Sequence, residues 1–201
     1  MERIRTVYIF ILFVLLLTCQ SSSQAQNWLW AKNTGGAGSA GTTAMATDAS
    51  GNVYIAGFFD NPGVSFGTTT LTSVWIYNMF LVKYDALGNV VWAKNEGGTN
   101  IYNESINGIV IGGSGNIYIT GYFGNSTITF GTVNLTNEGD DDMFIVKYDT
   151  SGNVIWAKSA GGVDDDIATS INVDALENLC LNLKYMNSCR YNYVSCSSLY
   201  F

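Results

Sequence analysis

Apolar and polar positions alternate along this chain in short runs. In Asn116-Ile117-Tyr118-Ile119-Thr120 the two isoleucines take one face of an extended segment, while Tyr118 and Thr120 take the other. Such runs carry Val, Ile, Tyr, Phe, Trp and Thr, residues that suit a pleated, half-buried surface. Gly, Asn and Asp separate them. The pattern predicts strands at about 53–59, 79–84, 90–95, 117–123, 143–148 and 154–159. A further apolar strand, such as Ile106–Ile111, precedes each set, and small threonine-rich hairpins are expected over Val64–Thr72 and Ile128–Thr136. After residue 25 no stretch shows an apolar stripe at helical spacing.

The pattern returns. Residues 51–94 recur as 115–158 at an offset of 64, with 24 of 44 positions identical. MFLVKYDALGNVVWAK (79–94) becomes MFIVKYDTSGNVIWAK (143–158). Trp-Ala-Lys occurs three times, at Trp30, Trp92 and Trp156, each followed by a Gly-Gly pair. Cut at those strands, the full repeats are about 30–92 and 92–156, with a partial third from 156. Four principal strands per period, joined by Gly/Asn turns, predict an all-β, propeller-type array of four-stranded antiparallel blades. About two and a half repeats make an incomplete ring, since closed propellers hold roughly four to eight blades. Open sides expose strand edges, so further blades or copies of the same chain are expected partners.

Composition bears on destination. Residues 1–25 read as a secretory signal: Arg3 and Arg5, an apolar run Val7–Leu17, then Ser23-Gln24-Ala25 before a cleavage point. That run is shorter than the roughly 20 residues that span a bilayer, so no membrane span is expected once the signal is cleaved. Acylation of Cys19 is a lipoprotein alternative. From residue 26 onward, seven basic face fifteen acidic residues, a net of −8. With no basic patch, nucleic acid is disfavoured as a partner. The chain has no His, which removes the commonest general base and metal ligand.

Candidate chemistry is thin. The clusters Asp140-Asp141-Asp142 and Asp164-Asp165-Asp166 are the best metal candidates, because calcium takes several carboxylates on a flexible loop. Yet Asp140, Asp141 and Asp142 correspond to Ile76, Tyr77 and Asn78 one period earlier, so the set is not repeated and reads as solvated loop. Trp92 and Trp156 are expected to be well-buried packing residues, with glycan stacking the competing reading. Lys83, Lys147, Lys94 and Lys158 are expected on solvated faces, and Asp85 and Asp149 as turn caps. Asn103, Asn125 and Asn134 sit in chance N-x-Ser/Thr sequons. No catalytic residue, cofactor or bound metal is assigned.

The end of the chain departs from the repeat. By register Glu177-Asn178 should read Gly-Asn, and residues 179–201 carry no Gly, no Asp and three Cys. An out-of-frame or artificial tail and a genuine divergent terminus both stand, and the tail is expected to add nothing to the fold. A short strand at 179–183 on the edge of the Ile167–Val173 strand is the one exception foreseen.

Gly115–Gly121, Thr129–Gly131 and Ile145–Lys158, with their counterparts 64 residues earlier, resemble the bacterial beta-propeller-repeat (SBBP-type) family and similar secreted repeat proteins of Bacteroidetes-type bacteria. The resemblance covers roughly 27–178. It implies a propeller-like fold and an exported protein, and it brings no catalytic residues. The expectation is a secreted or cell-surface binding or scaffold module for an unknown protein or glycan ligand. A truncated piece of a larger repeat protein is the alternative, and a glycan-active hydrolase built on the acidic clusters is the third reading.

Overall fold

The computed structural model describes residues 29–73, 77–97, 104–185 and 192–195. The leader with Cys19, the Asn103 sequon, Cys189 and Cys196 lie outside them. The chain runs through β1 (Gly35–Gly36), β2 (Ala40–Thr47), β3 (Val53–Phe59), β4 (Gly63–Phe66), β5 (Thr69–Thr72), β6 (Asn78–Tyr84) and β7 (Val90–Glu96). It repeats as β8 (Glu104–Ile111), β9 (Ile117–Phe123), β10 (Thr127–Phe130), β11 (Val133–Thr136), β12 (Asp142–Tyr148) and β13 (Val154–Ala160). Then follow β14 (Asp166–Val173), β15 (Leu179–Tyr185) and β16 (Asn192–Ser195).

Two antiparallel sheets of identical order result, β2-β3-β6-β7 and β8-β9-β12-β13. The third sheet is β14-β15-β16. The hairpins β4–β5 and β10–β11 stand apart from the main sheets, and β1 joins the first hairpin. Trp92 and Trp156 lie on the outer edge strands β7 and β13, so the structural blade is offset from the sequence repeat by one strand. The first strands β2, β8 and β14 lie side by side.

The core sits between blades. Tyr54, Ala56, Met79 and Leu81 of the first blade pack on Ile106, Ile117, Ile119 and Val146 of the second. Tyr118, Met143 and Ile145 of the second pack on Ala168, Ile171, Leu179 and Leu181 of the third. Each Ile, Leu, Val and Met among them stabilises by roughly 1.5–3 kcal/mol on burial. This explains the unbroken apolar run Met79–Val82: a central strand covered on both faces needs no alternation.

The first strand of each blade carries a bulge, at Thr43, Asn107 and Thr169. A bulge bends a strand and re-aims a side chain. In the first two blades the bulged residue crosses to the next blade. The Thr43 hydroxyl donates to the Ile106 carbonyl, and Asn107 Nδ2 donates to the Ala168 carbonyl at 2.9 Å.

The strand foreseen at 179–183 is present and runs on to residue 185, and it corrects the expectation that the tail adds nothing to the fold. β15 pairs along the whole of β14, and Leu179 and Leu181 fill the seam against the second blade. The alternation Leu-Cys-Leu-Asn-Leu puts the leucines on the covered face. β16 pairs in turn with β15.

Candidate functional site

What recurs from blade to blade is a constellation at the seam. On the second, third and fourth strands of the first blade, Tyr54, Lys83 and Trp92 lie directly opposite one another. In the second blade the same places hold Tyr118, Lys147 and Trp156. The ammonium groups sit over the tyrosine rings at 5.2 and 5.1 Å, and the indoles lie 6.3 Å from the same rings. Cross-strand neighbours on one face are close enough for such contacts. Lys83 and Lys147 are thus half-buried rather than solvated, as is Lys94, while Lys158 is exposed.

The tryptophans are half-buried, not well buried. Trp92 covers a turn of the following blade. Trp92 Nε1 donates to the Thr150 carbonyl at 3.4 Å, and its ring lies over Gly152. Lys83 Nζ donates to the same carbonyl at 3.3 Å. Trp30 does likewise one blade earlier: Nε1 donates to the Ala86 carbonyl at 3.2 Å, over Gly88. The contacts of Trp92 with Tyr54 and with the Gly152 turn favour packing over glycan stacking at that ring. Trp92→Phe, which keeps the ring and loses the donor, should cost about 0.5–1 kcal/mol in urea unfolding. No change at all would show that the indole N–H does not join the blades.

The receiving turns share one construction. Asp85 accepts from Leu87 N, Asn89 N and Asn89 Nδ2 at 2.8–2.9 Å, and Asp149 accepts the equivalent three. Asp48 and Asp174 do the same. Hydrogen bonds from Asn89 and Asn153 hold the Asp85 and Asp149 carboxyls below the usual range.

The second blade lacks this aspartate, since Gly112 stands where Asp48 stands in the first. The structure supplies a carboxylate from elsewhere. Glu177 reaches back from the third blade and accepts from Ser114 N at 3.0 Å, from the Ser114 hydroxyl and from the Tyr118 hydroxyl. It also pairs with Lys147 at 3.4 Å. In the first blade Asp48 accepts from the matching Ser50 N and Tyr54 hydroxyl. Sequence reasoning missed this role, although Gly112 at an Asp position was a usable signal.

The two acidic clusters do come together, across the loops before β12 and β14. Asp166 N donates to the Asp141 carbonyl. Burial raises the Asp141 carboxyl, and the Asp165, Asp140 and Asp142 carboxylates raise it further. Burial likewise raises Asp166 and Asp142. Asp142 is buried and accepts from Glu138 N at 2.9 Å. Asp140 is exposed, and Asp164 is half-buried beside Asp165. Among the described residues no three His, Cys, Asp or Glu side chains converge in a way that could hold a metal ion. Asn125 of the second sequon is buried, and Asn134 of the third is exposed.

Two clefts mark the seams. One, of about 330 Å³, is lined by Lys94, Glu96, Thr132 and Asn153 among others. The other, of about 290 Å³, is lined by Met143, Ala160, Gly162, Asp166 and Leu183 among others. Glu96 is buried, and burial pushes its carboxyl up to about 7, against the Tyr148 hydroxyl and the Lys94 ammonium, which lower it. The Tyr148 hydroxyl lies beside Glu96 without reaching hydrogen-bonding geometry. A carboxyl raised above its unfolded value favours folding at low pH and loses that advantage as pH rises from about 4.5 through about 7. Glu96→Gln should therefore gain about 1–2 kcal/mol over wild type at pH 8 relative to pH 5. Equal pH dependence of melting in the two proteins would remove Glu96 as the cause.

No known family profile matches the chain. It is 30% identical over 128 residues to a protein of Acanthamoeba polyphaga mimivirus named as an uncharacterized WD repeat-containing protein. The likeness is to a propeller-type repeat. It takes in 56% of this chain and 9% of that protein. WD repeats build four-stranded propeller blades, as do the two complete sheets here. The chain nevertheless has neither a Gly-His nor a Trp-Asp pair.

Proposed function

We propose that this chain is a non-catalytic binding or scaffold module, exported to the cell surface or beyond it, of the bacterial propeller-repeat type. The observation that supports the reading is the contrast between the repeated frame and the clefts. The turn aspartates Asp85 and Asp149, the bulges and the Tyr-Lys-Trp trios repeat at fixed positions, whereas the groups in the clefts differ, Glu96 in one corresponding to Ala160 in the other. A constant frame that carries changing surface groups suits recognition. The apolar leader supports export. Propeller-type scaffolds commonly bind other proteins or glycans, and either class fits clefts that mix polar and apolar groups.

The test is a binding screen of the purified chain on glycan and protein arrays, run beside chromogenic glycosides. Retention of a ligand without release of the chromophore is expected. Release would move the reading to a hydrolase. A chain that melts without cooperativity and retains nothing would favour a piece of a larger protein, a reading motivated by the departure from the repeat after Glu177.

A further inference from the structure

We infer that the cleft between the second and third blades seats a lysine or arginine side chain of a partner protein. The inference rests on the binding reading above and adds the chemistry of the ligand. The cleft has apolar walls in Met143, Ile167 and Leu183 and one carboxylate, Asp166. A straight aliphatic stem that lies along such walls and ends in a cation is what lysine and arginine carry. None of the lining residues is basic. Asp142 stands behind Gly161, which also lines the cleft. Asp142 is 1% exposed, and its Oδ1, turned against Gly161, has no hydrogen-bond partner. A buried carboxylate oxygen without a donor is destabilising, and a cation in the cleft offsets that cost.

In the seam between the first and second blades the same place is filled. Glu104 opens the second blade at the position where Asp166 opens the third. Its side chain is buried against Gly97 and accepts from Asn125 Nδ2 at 3.3 Å. Asp166 is one methylene shorter and half-buried, and it lines a cleft instead. Leu183 adds a wall where the second blade has Gly121. Charge points the same way. The loops that carry Asp140-Asp141-Asp142 and Asp164-Asp165-Asp166 meet beside the cleft. Every charged neighbour that shifts Asp141, Asp142 or Asp166 is another carboxylate. Among the described residues no three of these groups are placed to hold a metal ion. Carboxylates crowded in this way favour a cation that brings its own hydrogen-bond donors, and ammonium and guanidinium groups both do.

The experiment is an NMR titration of the full chain with end-blocked pentapeptides, glycine on either side of a central arginine, lysine, norleucine or glutamate. The arginine and lysine peptides are expected to shift the methyl resonances of Met143, Ile167 and Leu183. They should bind at least about tenfold more tightly than the norleucine peptide, which keeps a stem and lacks the charge. Asp166→Asn should weaken the arginine peptide about tenfold. Asp140→Asn, an equal loss of charge at an exposed position that does not line the cleft, should weaken it less than about twofold. Equal binding of the norleucine and arginine peptides overturns the inference. So does a loss in Asp140→Asn as large as that in Asp166→Asn, which would mean diffuse attraction to an acidic surface. Cleft resonances that move with none of the peptides overturn it as well. The norleucine comparison uses wild type alone, so it stands whatever Asp166→Asn does to stability. A ligand retained on the arrays while no peptide enters the cleft defeats this inference and leaves the binding reading intact.

Discussion

Gly121→Ala should lower the unfolding free energy by about 3 kcal/mol or more, while Gly113→Ala leaves it within about 0.5 kcal/mol. Both are exchanges of one hydrogen for one methyl group. A Cβ at Gly121 would stand 1.8 Å from the Ser105 carbonyl oxygen, whereas one at Gly113 meets nothing within 4 Å. Ser105 and Ile106 lead into the bulge at Asn107, and the bulge swings that carbonyl over the second strand. A Cβ at Gly57 would likewise stand 2.0 Å from the Gly41 carbonyl oxygen. The obstacle is backbone, so no rotamer change relieves it. Moving it would also shift the bulge and the Asn107 bond to the third blade. The measurement is the urea midpoint at constant slope. A Gly121→Ala midpoint close to wild type would mean that the bulge is not the feature that selects glycine.

Glu177→Ala should cost about 2–3 kcal/mol near neutral pH. The carboxylate holds three hydrogen bonds and an ion pair, each charge-assisted contact being worth about 1.5–3 kcal/mol before its partial exposure is discounted. Burial alone would raise its pKa, but the donors from Ser114 and Tyr118 dominate and bring it down to about 2. A carboxyl depressed in the fold contributes fully above its unfolded value of about 4.5 and loses that contribution as pH falls toward about 2. The difference between wild type and variant should therefore shrink between pH 5 and pH 2. The compensating change is Gly112→Asp, whose Cβ would stand 2.6 Å from Glu177 Oε1. Alone it collides. Combined with Glu177→Gly it recreates the arrangement at Asp48, and the double variant should be more stable than either single one. Additive losses would refute the exchange of one carboxylate for the other.

The strands were legible because their cause is local. Val53–Phe59 and Ile117–Phe123 alternate between Gly-Asn turns, and the structure places β3 and β9 over those residues. The seam contacts were harder to read. Trp92 looked like a core residue because a large ring recurring on a strand usually is one. Its position depends on a turn 58 residues away, and no alternation pattern records that distance. Lys83 and Lys147 were placed in water by their charge, but a ring directly across the strand gave them another surface. Glu177 was read only as a broken Gly-Asn turn. At φ 63 it does take the conformation that Gly51, Gly88 and Gly152 take. Its function lies in Gly112, a residue of another blade. The acidic loops were seen as loops, and their approach to one another was not encoded in either segment alone.

The staple between blades also orders events in time. Trp30 is synthesised 56 residues before Ala86, and Trp92 58 residues before Thr150. At about 5–20 residues per second, each indole waits roughly 3–12 seconds for the carbonyl that receives it. During that interval the strand β7 that carries Trp92 is held by its own sheet alone. A nascent chain therefore matures one blade behind its own synthesis. A pause placed within that lag leaves a half-stapled edge open to the wrong neighbour, whereas a pause after Thr150 does not.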